Sequence, residues 1–400
     1  MSRPTTGVLA LVLCAALVLT ISNGLRSSFG LFLTPMSLDI GISRETFALA
    51  IAIQGLVWGI SQPIFGALAD RHGAVRVILL GTVIYVAGLL WMAWADGALG
   101  LHLSQGVLVA LGISATGFAV VLGPVGRAVP PERRSMALGI AAAGGSFGQF
   151  ALAPVGGALI DGVGWSMALI AYCGIAAMMI PCLLGMRGSH RPPEGSAQTL
   201  SEALAEARAH SGFWLLCGGF FVCGFHVYFI ATHLPPFITD AGLAPMLGAT
   251  AIAVIGLGNI VGTFAAGWLG DRHRKKYVLS FFYLGRAAVL GIFLVAPVTE
   301  ASVLVFSALM GLLWLGTVPL TSGLVAQIFG PRYLGALFGL VFFSHQLGSF
   351  LGAWLGGYLY DTTGSYDMVW LTAVALGVAA AVLHWPIRDR PLVRREAGAA

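Results

Sequence analysis

Long apolar runs dominate the chain, and short polar or Gly/Pro-rich breaks separate them. Each run is about 20 residues or longer, the length that an α-helix needs to cross a hydrocarbon core of ~30 Å. The apolar residues are continuous instead of alternating, which excludes the strands of a closed β-barrel. We therefore predict an all-α integral membrane protein with twelve helices, at about 8–34, 46–69, 75–95, 99–122, 135–160, 165–186, 213–238, 247–269, 277–297, 301–326, 333–360 and 367–386.

Composition agrees with the hydrophobic pattern. Hydrophobic residues make up 58% of the 400 residues and charged residues only 9%, against about 25% charged in soluble globular domains. The first helix has no small-residue cleavage site, so we expect it to be retained. All cysteines fall inside apolar runs without metal-ligand spacing, which indicates packing. We expect no metal and no cofactor.

The positions of the basic residues predict the orientation, because cytoplasmic loops retain Lys and Arg. With the N-terminus inside, 18 of the 21 basic residues lie on the cytoplasmic side, and the exceptions are Arg26, Arg44 and Arg286. Both termini are then cytoplasmic. The net charge of +5 reports this topology, so we expect no nucleic-acid partner.

The second half of the sequence repeats the first. The segment GALADRHGAVR at 66–76 returns as GWLGDRHRKKY at 267–277, and NGLRSSFGLFLTP at 23–35 matches CGFHVYFIATHLP at 223–235. The second match places His226 opposite Arg26. Such matches predict two parallel structural repeats.

The longest polar interruption separates these repeats. Its TLSEALAEARA stretch predicts a short amphipathic cytoplasmic helix capped by Ser201 or Thr199. We predict an N-terminal six-helix half at 1–186, a cytoplasmic linker at 187–212, a C-terminal six-helix half at 213–387 and a cytoplasmic tail at 388–400.

Twelve helices in two parallel repeats resemble the major facilitator superfamily, in which a central site lies between two rocking halves. The family pattern Gly-x-Leu-x-Asp-Arg-x-Gly-x-x-Arg between helices 2 and 3 is matched by 66–76. The resemblance implies that Asp70 latches the halves together near the end of helix 11 and an Arg of helix 4. The second copy of the motif lacks the later Gly. The predicted gating residues are Asp70, Arg71, Arg76, Arg127, Asp271 and Arg272.

A finer resemblance lies in the first helix. RSSFGLF at 26–32 is similar to a segment of the monocarboxylate transporter and oxalate:formate antiporter branch, which implies that Arg26 helps to hold a substrate carboxylate. The chain departs from the mammalian members in helix 8, where Asn259 and Thr263 replace an Asp-x-x-x-Arg pair. The proton-coupling scheme of those relatives therefore does not carry over.

The depth of Arg26 supports a binding role independently. It lies nine residues before Pro35, ~13 Å along a helix, and a lone intramembrane Arg is costly unless it faces a cavity or a partner. The sequence places no Asp or Glu deep in any predicted helix. The missing counter-ion is then an anionic substrate held by the guanidinium. The alternative is that Arg26 snorkels to the headgroups.

Further polar residues lie in the helices that line the central site in the family. Each could also be a packing residue. Arg286 lies at a similar depth, but we expect a structural role for it, bonding backbone carbonyls or a hydroxyl of a neighbouring helix. The predicted substrate-binding residues are Arg26, His226, Tyr228, Asn259, Thr263, Trp314, His345 and Gln346.

These features predict a secondary active transporter of a small organic anion, most simply a monocarboxylate, that works by alternating access. The main alternative is an exporter of amphipathic drugs or metabolites with the same fold. A membrane-bound enzyme would need a cluster of catalytic polar side chains, which the sequence does not contain. A non-transporting sensor of this fold would be expected to carry a long signalling extension. The expected partners are the anion, protons or a counter-anion, and the lipid bilayer.

The composition also predicts the location. Two Lys stand against nineteen Arg, with abundant Ala and Gly, which is typical of a bacterial genome of high GC content. We expect a functional monomer in the bacterial inner membrane.

Overall fold

The computed structural model describes residues 5–128, 131–186, 199–330 and 334–392. Helices make up almost all of these residues. The first part of the chain contains α1 (Thr5–Ser27), a 3-10 turn (Phe29–Phe32), α2 (Leu33–Ile40), α3 (Arg44–His72), α4 (Ala74–Ala93), α5 (Ala98–Leu101), a π-helical segment (His102–Val109), α6 (Ala110–Ala115), α7 (Phe118–Ala128), α8 (Pro131–Ala177) and α9 (Met179–Met186).

The second part begins with a short helix and continues with long apolar ones. It contains α10 (Leu200–Ala209), α11 (Ser211–Asp240), α12 (Pro245–Arg272), α13 (Lys275–Val295), α14 (Glu300–Leu312), α15 (Thr317–Phe329), α16 (Leu334–Thr363) and α17 (Asp367–His384). Residues 187–198 of the predicted linker and 393–400 of the predicted tail lie outside the described part of the chain.

Eleven stretches of the described residues are long and apolar enough to cross a membrane. The longest, Gly139–Met186, has 48 residues, which is far more than one crossing needs. Within it, Gly164 has φ 80° and ψ 164° and interrupts the helix. The break falls between the two helices that the sequence predicts at 135–160 and 165–186.

Several predicted helices are interrupted, and two of these interruptions lie near the middle of the molecule. The helix predicted at 8–34 ends at Ser27, and the 3-10 turn and α2 continue the span to Ile40. Gly30 in that turn lies directly against the Ala231 carbonyl of α11, where a Cβ would not fit. The helix predicted at 301–326 is split into α14 and α15, and side chains of α12 and α13 bind the backbone groups that the split exposes.

Helix α10 begins where the sequence indicates. The Thr199 side chain accepts a hydrogen bond from the Glu202 backbone N–H, and the Glu202 side chain accepts one from the Thr199 N–H. This capping box satisfies two backbone donors of the first turn. The prediction of a capped helix at this position is confirmed.

The two halves are built by the same helix pairing. α1 packs along α8, and α11 packs along α16, as the most extensive contacts in the molecule. Glycines make these crossings close: a Cβ on Gly24 would lie 2.6 Å from the Gly148 carbonyl oxygen, and a Cβ on Gly224 would overlap the His345 carbonyl. The halves meet along α3–α16 and α8–α12. The candidate site lies between them.

Candidate functional site

A small cavity lies between the halves beside Arg26. Its volume is ≈ 10 Å³, about the space that one water molecule needs. Residues of α1, the 3-10 turn and α3 form one wall, and residues of α11 form the other. The lining residues are Arg26, Ser27, Phe29, Gly30, Ile51, Gln54, Tyr228, Ala231 and Thr232.

Hydrogen-bond donors around this cavity lack acceptors. Arg26 Nε, Gln54 Nε2, the Tyr228 hydroxyl and Trp58 Nε1 are all buried and have no hydrogen-bond partner. A buried polar group without a partner costs about 1–3 kcal/mol, and more when it is charged. Four such groups at one place favour a ligand that accepts hydrogen bonds.

Aromatic rings hold the Arg26 guanidinium from both halves. Its Cζ lies 5.3 Å from the Trp58 ring centroid on α3 and 5.8 Å from the Tyr228 ring centroid on α11. Trp58 in turn makes an edge-on contact with Phe342 of α16, with ring centroids 5.6 Å apart. The aromatic faces attract the cation and hold the guanidinium in the cavity wall.

Gln346 connects α16 to α3 next to Tyr228. Its Nε2 donates to the Gly55 carbonyl at 2.8 Å, and its Oε1 lies 2.9 Å from His345 Nδ1. Gly55 also contacts Tyr228, because a Cβ on Gly55 would lie 3.5 Å from the ring. His345 itself stacks on Phe342. Gln346 is therefore beside the cavity, and His345 is one side chain further away.

His226 faces another direction. Its Nε2 bonds to the Ala373 carbonyl of α17 at 2.8 Å, and it does not line the cavity at Arg26. Successive residues of a helix point ~100° apart, so matching depth on α1 and α11 does not ensure a matching face. The structure brings Tyr228 to Arg26 and leaves His226 within the C-terminal half.

Asn259, Thr263 and Trp314 lie at the break between α14 and α15. Asn259 Oδ1 accepts from the Leu315 N–H at 3.0 Å and from the Thr263 hydroxyl at 3.1 Å. Asn259 Nδ2 donates to Ser146 of α8 across the halves at 3.0 Å. These bonds occupy the Asn259 amide, and the structure does not bring the three residues to the Arg26 cavity.

Arg286 binds the other side of the same break. Its Nε donates to the Leu313 carbonyl at 2.8 Å and its Nη2 donates to the Trp314 carbonyl, while Nη1 has no acceptor. Carbonyls at the C-terminal end of a helix lack intrahelical partners and carry partial negative charge. Arg286 therefore bonds backbone carbonyls, one of the two kinds of partner expected for it.

Arg44 closes the end of the molecule that the basic residues predict to be external. It forms a two-pronged ion pair with Asp240 of α11, with both N–O distances at 2.6 Å. Its Nη1 also donates to the Tyr366 hydroxyl at 3.0 Å, and its Cζ lies 4.0 Å from the Tyr360 ring centroid. We call Arg44, Asp240 and Tyr366 the Arg44 latch.

Backbone and side-chain bonds beside the latch join the same two halves. The Glu45 N–H donates to Asp361 at 2.7 Å, and Trp354 Nε1 donates to the Glu45 carboxylate at 3.0 Å. Gly357 allows α16 to lie directly against the Arg44 backbone. The two halves are therefore held together on this side of the Arg26 cavity.

The predicted gating residues lie at the opposite end. Arg71 lines a groove of ≈ 480 Å³ along the last turns of α3. Arg76 and Asp271 are exposed, and Arg272 stacks on Trp268 at 3.9 Å. The side chains of Asp70 and Arg127 lie outside the described residues.

Gln54, Trp58 and the Arg44 latch were not predicted from the sequence. Gln54 and Trp58 stand in an apolar run, and one helical turn separates them. That spacing places both on one face of α3. Arg44 was visible as a basic residue on the predicted external side, where acidic residues such as Asp240 also lie. The sequence signal for the latch was therefore a pair of opposite charges, Arg44 and Asp240, in predicted external segments of different halves.

A model of one protein family and several relatives match the chain. The Major Facilitator Superfamily model matches residues 12–319 and, in a second match, 250–400. The chain is 27% identical over 386 residues to an uncharacterized MFS-type transporter, YcxA, of Bacillus subtilis (strain 168), with 92% of each protein covered. It is 30% identical over 381 residues to monocarboxylate transporter 11 of Mus musculus, covering 91% of this chain and 83% of that one.

A solved structure has the same fold. The crystal structure of a bacterial homolog of the human lysosomal transporter Spinster, in an inward-facing and unoccupied conformation, superposes with a TM-score of 0.77. The match covers 97% of this chain and 99% of that one at 17% sequence identity.

Proposed function

The chain belongs to the Major Facilitator Superfamily, a family of membrane transporters, and from that premise we propose that it moves a small organic anion, most simply a monocarboxylate, by alternating access. In this proposal twelve transmembrane helices form two halves, 1–186 and 213–387, with both termini in the cytoplasm. The protein acts as a monomer in the bacterial inner membrane.

The unpaired donors at the Arg26 cavity carry the proposal. Arg26, Gln54 and Tyr228 line the cavity and have unpaired N–H and O–H groups, and Trp58, whose indole N–H is also unpaired, lies against the Arg26 guanidinium. A carboxylate would accept several of these bonds and neutralise the Arg26 charge. A cationic substrate would meet a positive charge with no carboxylate among the lining residues.

The size of the cavity requires movement of the two halves. A volume of ≈ 10 Å³ is too small for a carboxylic acid, so Arg26 and Tyr228, which belong to different halves, must separate for binding. The Arg44 latch closes one route to the cavity in this conformation. Opening it and closing the other end would present Arg26 to each side of the membrane in turn.

One relative supports the substrate class. Monocarboxylate transporter 11 of Mus musculus has a monocarboxylate in its name, and the Arg26 cavity of this chain has unpaired donors and no carboxylate among its lining residues. An exporter of amphipathic compounds remains the alternative, and it makes the opposite prediction about the sign of the substrate charge.

The test is uptake and efflux by the purified protein in liposomes. Radiolabelled lactate, acetate and benzoate serve as anions, and ethidium serves as the cationic amphipathic probe. We expect at least one anion to be transported, and Arg26→Gln to weaken its binding roughly tenfold to a hundredfold, since a charge-assisted bond contributes ~1.5–3 kcal/mol. Ethidium efflux that persists in Arg26→Gln, with no anion transported by the parent protein, would support the exporter instead.

A further inference from the structure

A directed chain of hydrogen bonds runs from the Arg44 latch into α11. Arg44 Nη1 donates to the Tyr366 hydroxyl oxygen at 3.0 Å. The Tyr366 hydroxyl lies 3.3 Å from His233 Nδ1, and His233 Nε2 lies 2.7 Å from the Ala353 carbonyl. The chain crosses from the N-terminal half, through Arg44, to the C-terminal half.

The chemistry of each group fixes the direction of these bonds. The Ala353 carbonyl can only accept, so His233 Nε2 carries the hydrogen and Nδ1 presents a lone pair. Arg44 can only donate, so the Tyr366 oxygen accepts from it and gives its own hydrogen to Nδ1. Burial raises the pKa of Tyr366 above its ordinary value, which keeps that hydrogen on the hydroxyl. The closed latch thus requires a neutral His233.

We propose that Nδ1 of His233 is a proton-binding site whose protonation opens the Arg44 latch. A proton on Nδ1 removes the acceptor of the Tyr366 hydroxyl hydrogen and directs two donors, Arg44 and His233, at one oxygen. His233 is buried, and its ring lies so close to Gly356 that a Cβ on that residue would not fit. The imidazolium is accommodated when the halves separate and water reaches it.

Other charged and titratable groups surround this chain of hydrogen bonds. From α3 these are Arg44 and Glu45, from α11 Asp240, and from α16 Tyr360 and Asp361, while Tyr366 precedes α17. Asp240 neutralises Arg44 through the two-pronged ion pair. Of the groups directly bonded to Tyr366, His233 is the one that gains a proton between pH 5 and pH 8 in water.

The sign and size of the effect follow from linkage. The closed latch excludes the proton, whereas an exposed histidine protonates near pH 6.5. The stability of the closed latch relative to the open latch is therefore greatest above about pH 7, and it decreases as the pH falls. Lowering the pH from about 8 to about 5.5 should raise the ratio of open to closed latch roughly tenfold.

Cysteine labelling reads this ratio without any substrate. Ser27→Cys places a thiol in the Arg26 cavity, and Leu38→Cys, at a side chain that is 80% exposed beside the predicted external end, is the reference. Intact cells are treated with membrane-impermeant methanethiosulfonate ethylsulfonate from about pH 8 to about pH 5.5, and the protein without an added cysteine gives the background. The ratio of the two labelling rates should rise roughly tenfold on acidification, by the linkage above.

Histidine variants identify the group responsible. His233→Gln keeps one donor and one acceptor but does not titrate, so the rise in the labelling ratio on acidification should disappear. His102→Gln is the matched control, because His102 Nε2 bonds a backbone carbonyl near the same end, that of Thr46, outside the chain. If His233→Gln does not assemble in the membrane, Tyr366→Phe, which removes the linking hydroxyl, should also abolish the rise.

A rise that persists in His233→Gln or Tyr366→Phe, or that is missing from the parent protein, overturns the proposal. The proposal rests on alternating access but not on the identity of the substrate. Failure of anion transport with a pH-dependent latch would therefore reject the proposed substrate and leave the proton site standing.

Discussion

Arg26 and Arg286 are both arginines deep in apolar helical spans, and neither has a carboxylate among its described contacts. Arg286 is fully buried and donates to the carbonyls at the end of α14. Arg26 lies between two aromatic rings, lines a cavity and keeps a buried Nε without an acceptor.

The difference shows what decides the role of an intramembrane arginine. A helix break supplies carbonyl oxygens that satisfy the guanidinium within the protein, and the arginine then stabilises the fold. Without such a break, the unpaired donors are available to a ligand. Removing Arg286 should therefore damage stability, and removing Arg26 should damage binding.

The largest expected effect is on the stability of the Arg286→Gln variant. It loses two charge-assisted bonds and leaves the end of α14 unpaired, so we expect a loss of about 3 kcal/mol or more. Thermal unfolding of the purified protein in detergent, followed by size-exclusion chromatography, measures this. Arg26→Gln, the matched control, should keep the Tm of the parent protein. An unchanged Tm for Arg286→Gln would contradict the conclusion that Arg286 stabilises the fold.

Lysine substitutions sharpen the comparison. Arg26→Lys keeps the charge but not the planar fork, so its affinity for a transported anion should fall between those of the parent and Arg26→Gln, a loss of roughly three- to tenfold. Its Tm should be unchanged. Equal affinities of Arg26→Lys and Arg26→Gln, measured by transport competition, would mean that charge contributes nothing.

Asn259 tests the other side of the helix break. Asn259→Leu removes the acceptor of the Leu315 N–H, and we expect a cost of about 1–2 kcal/mol, smaller than that of Arg286→Gln. Ser146→Ala is the control, since it removes only the bond between the halves. If Ser146→Ala lowers the Tm as much as Asn259→Leu, the helix break is not what Asn259 stabilises.

The smallest effect concerns an arginine that does have a carboxylate, outside the membrane spans. Arg274 donates to Asp389 at 2.6 Å and 3.1 Å, and this hydrogen bonding lowers the pKa of Asp389 below its ordinary value. The pair therefore stabilises the protein above about pH 4, the ordinary range of an Asp, and the contribution is lost as the pH falls through the lowered pKa.

Asp389→Asn should accordingly lower the Tm slightly at neutral pH. At roughly pH 3, below the ordinary aspartate range, the Tm difference between the variant and the parent protein should be smaller than at neutral pH. A Tm difference that is equal at both pH values would contradict the assignment of the effect to the ionised pair.

Local sequence signals predicted several features that the structure bears out. The loop motif at 66–76 indicated the superfamily, which the family match confirms. Backbone carbonyls or a hydroxyl were the expected partners of Arg286, and the structure shows carbonyls. Ser201 or Thr199 was the expected cap, and the structure shows Thr199. Each of these depends on residue type and on neighbours close in the chain.

Features set by long-range packing could not be read in this way. The face on which His226 lies depends on the rotation of α11 against α17, and the interruption at 313–316 is held by side chains from α12 and α13. The ion pair between Arg44 and Asp240 joins residues 196 positions apart. Gln54 and Trp58 become recognisable only when α3 is placed opposite Tyr228.

The glycine crossings have a mechanical consequence. Within each half, backbone lies against backbone, as at Gly24 with Gly148 and at Gly224 with His345. We therefore expect each half to move as a rigid body. Between the halves, backbone approaches backbone at Gly30 with Ala231 and at Gly357 with Arg44, and the other contacts, such as Gln346–Gly55 and the Arg44 latch, are made by side chains that can be released one at a time. In the alternating access that we propose, the halves turn about a point near Arg26, and Arg44 lies near one end, so a small opening at the centre should produce a larger displacement at the membrane surface.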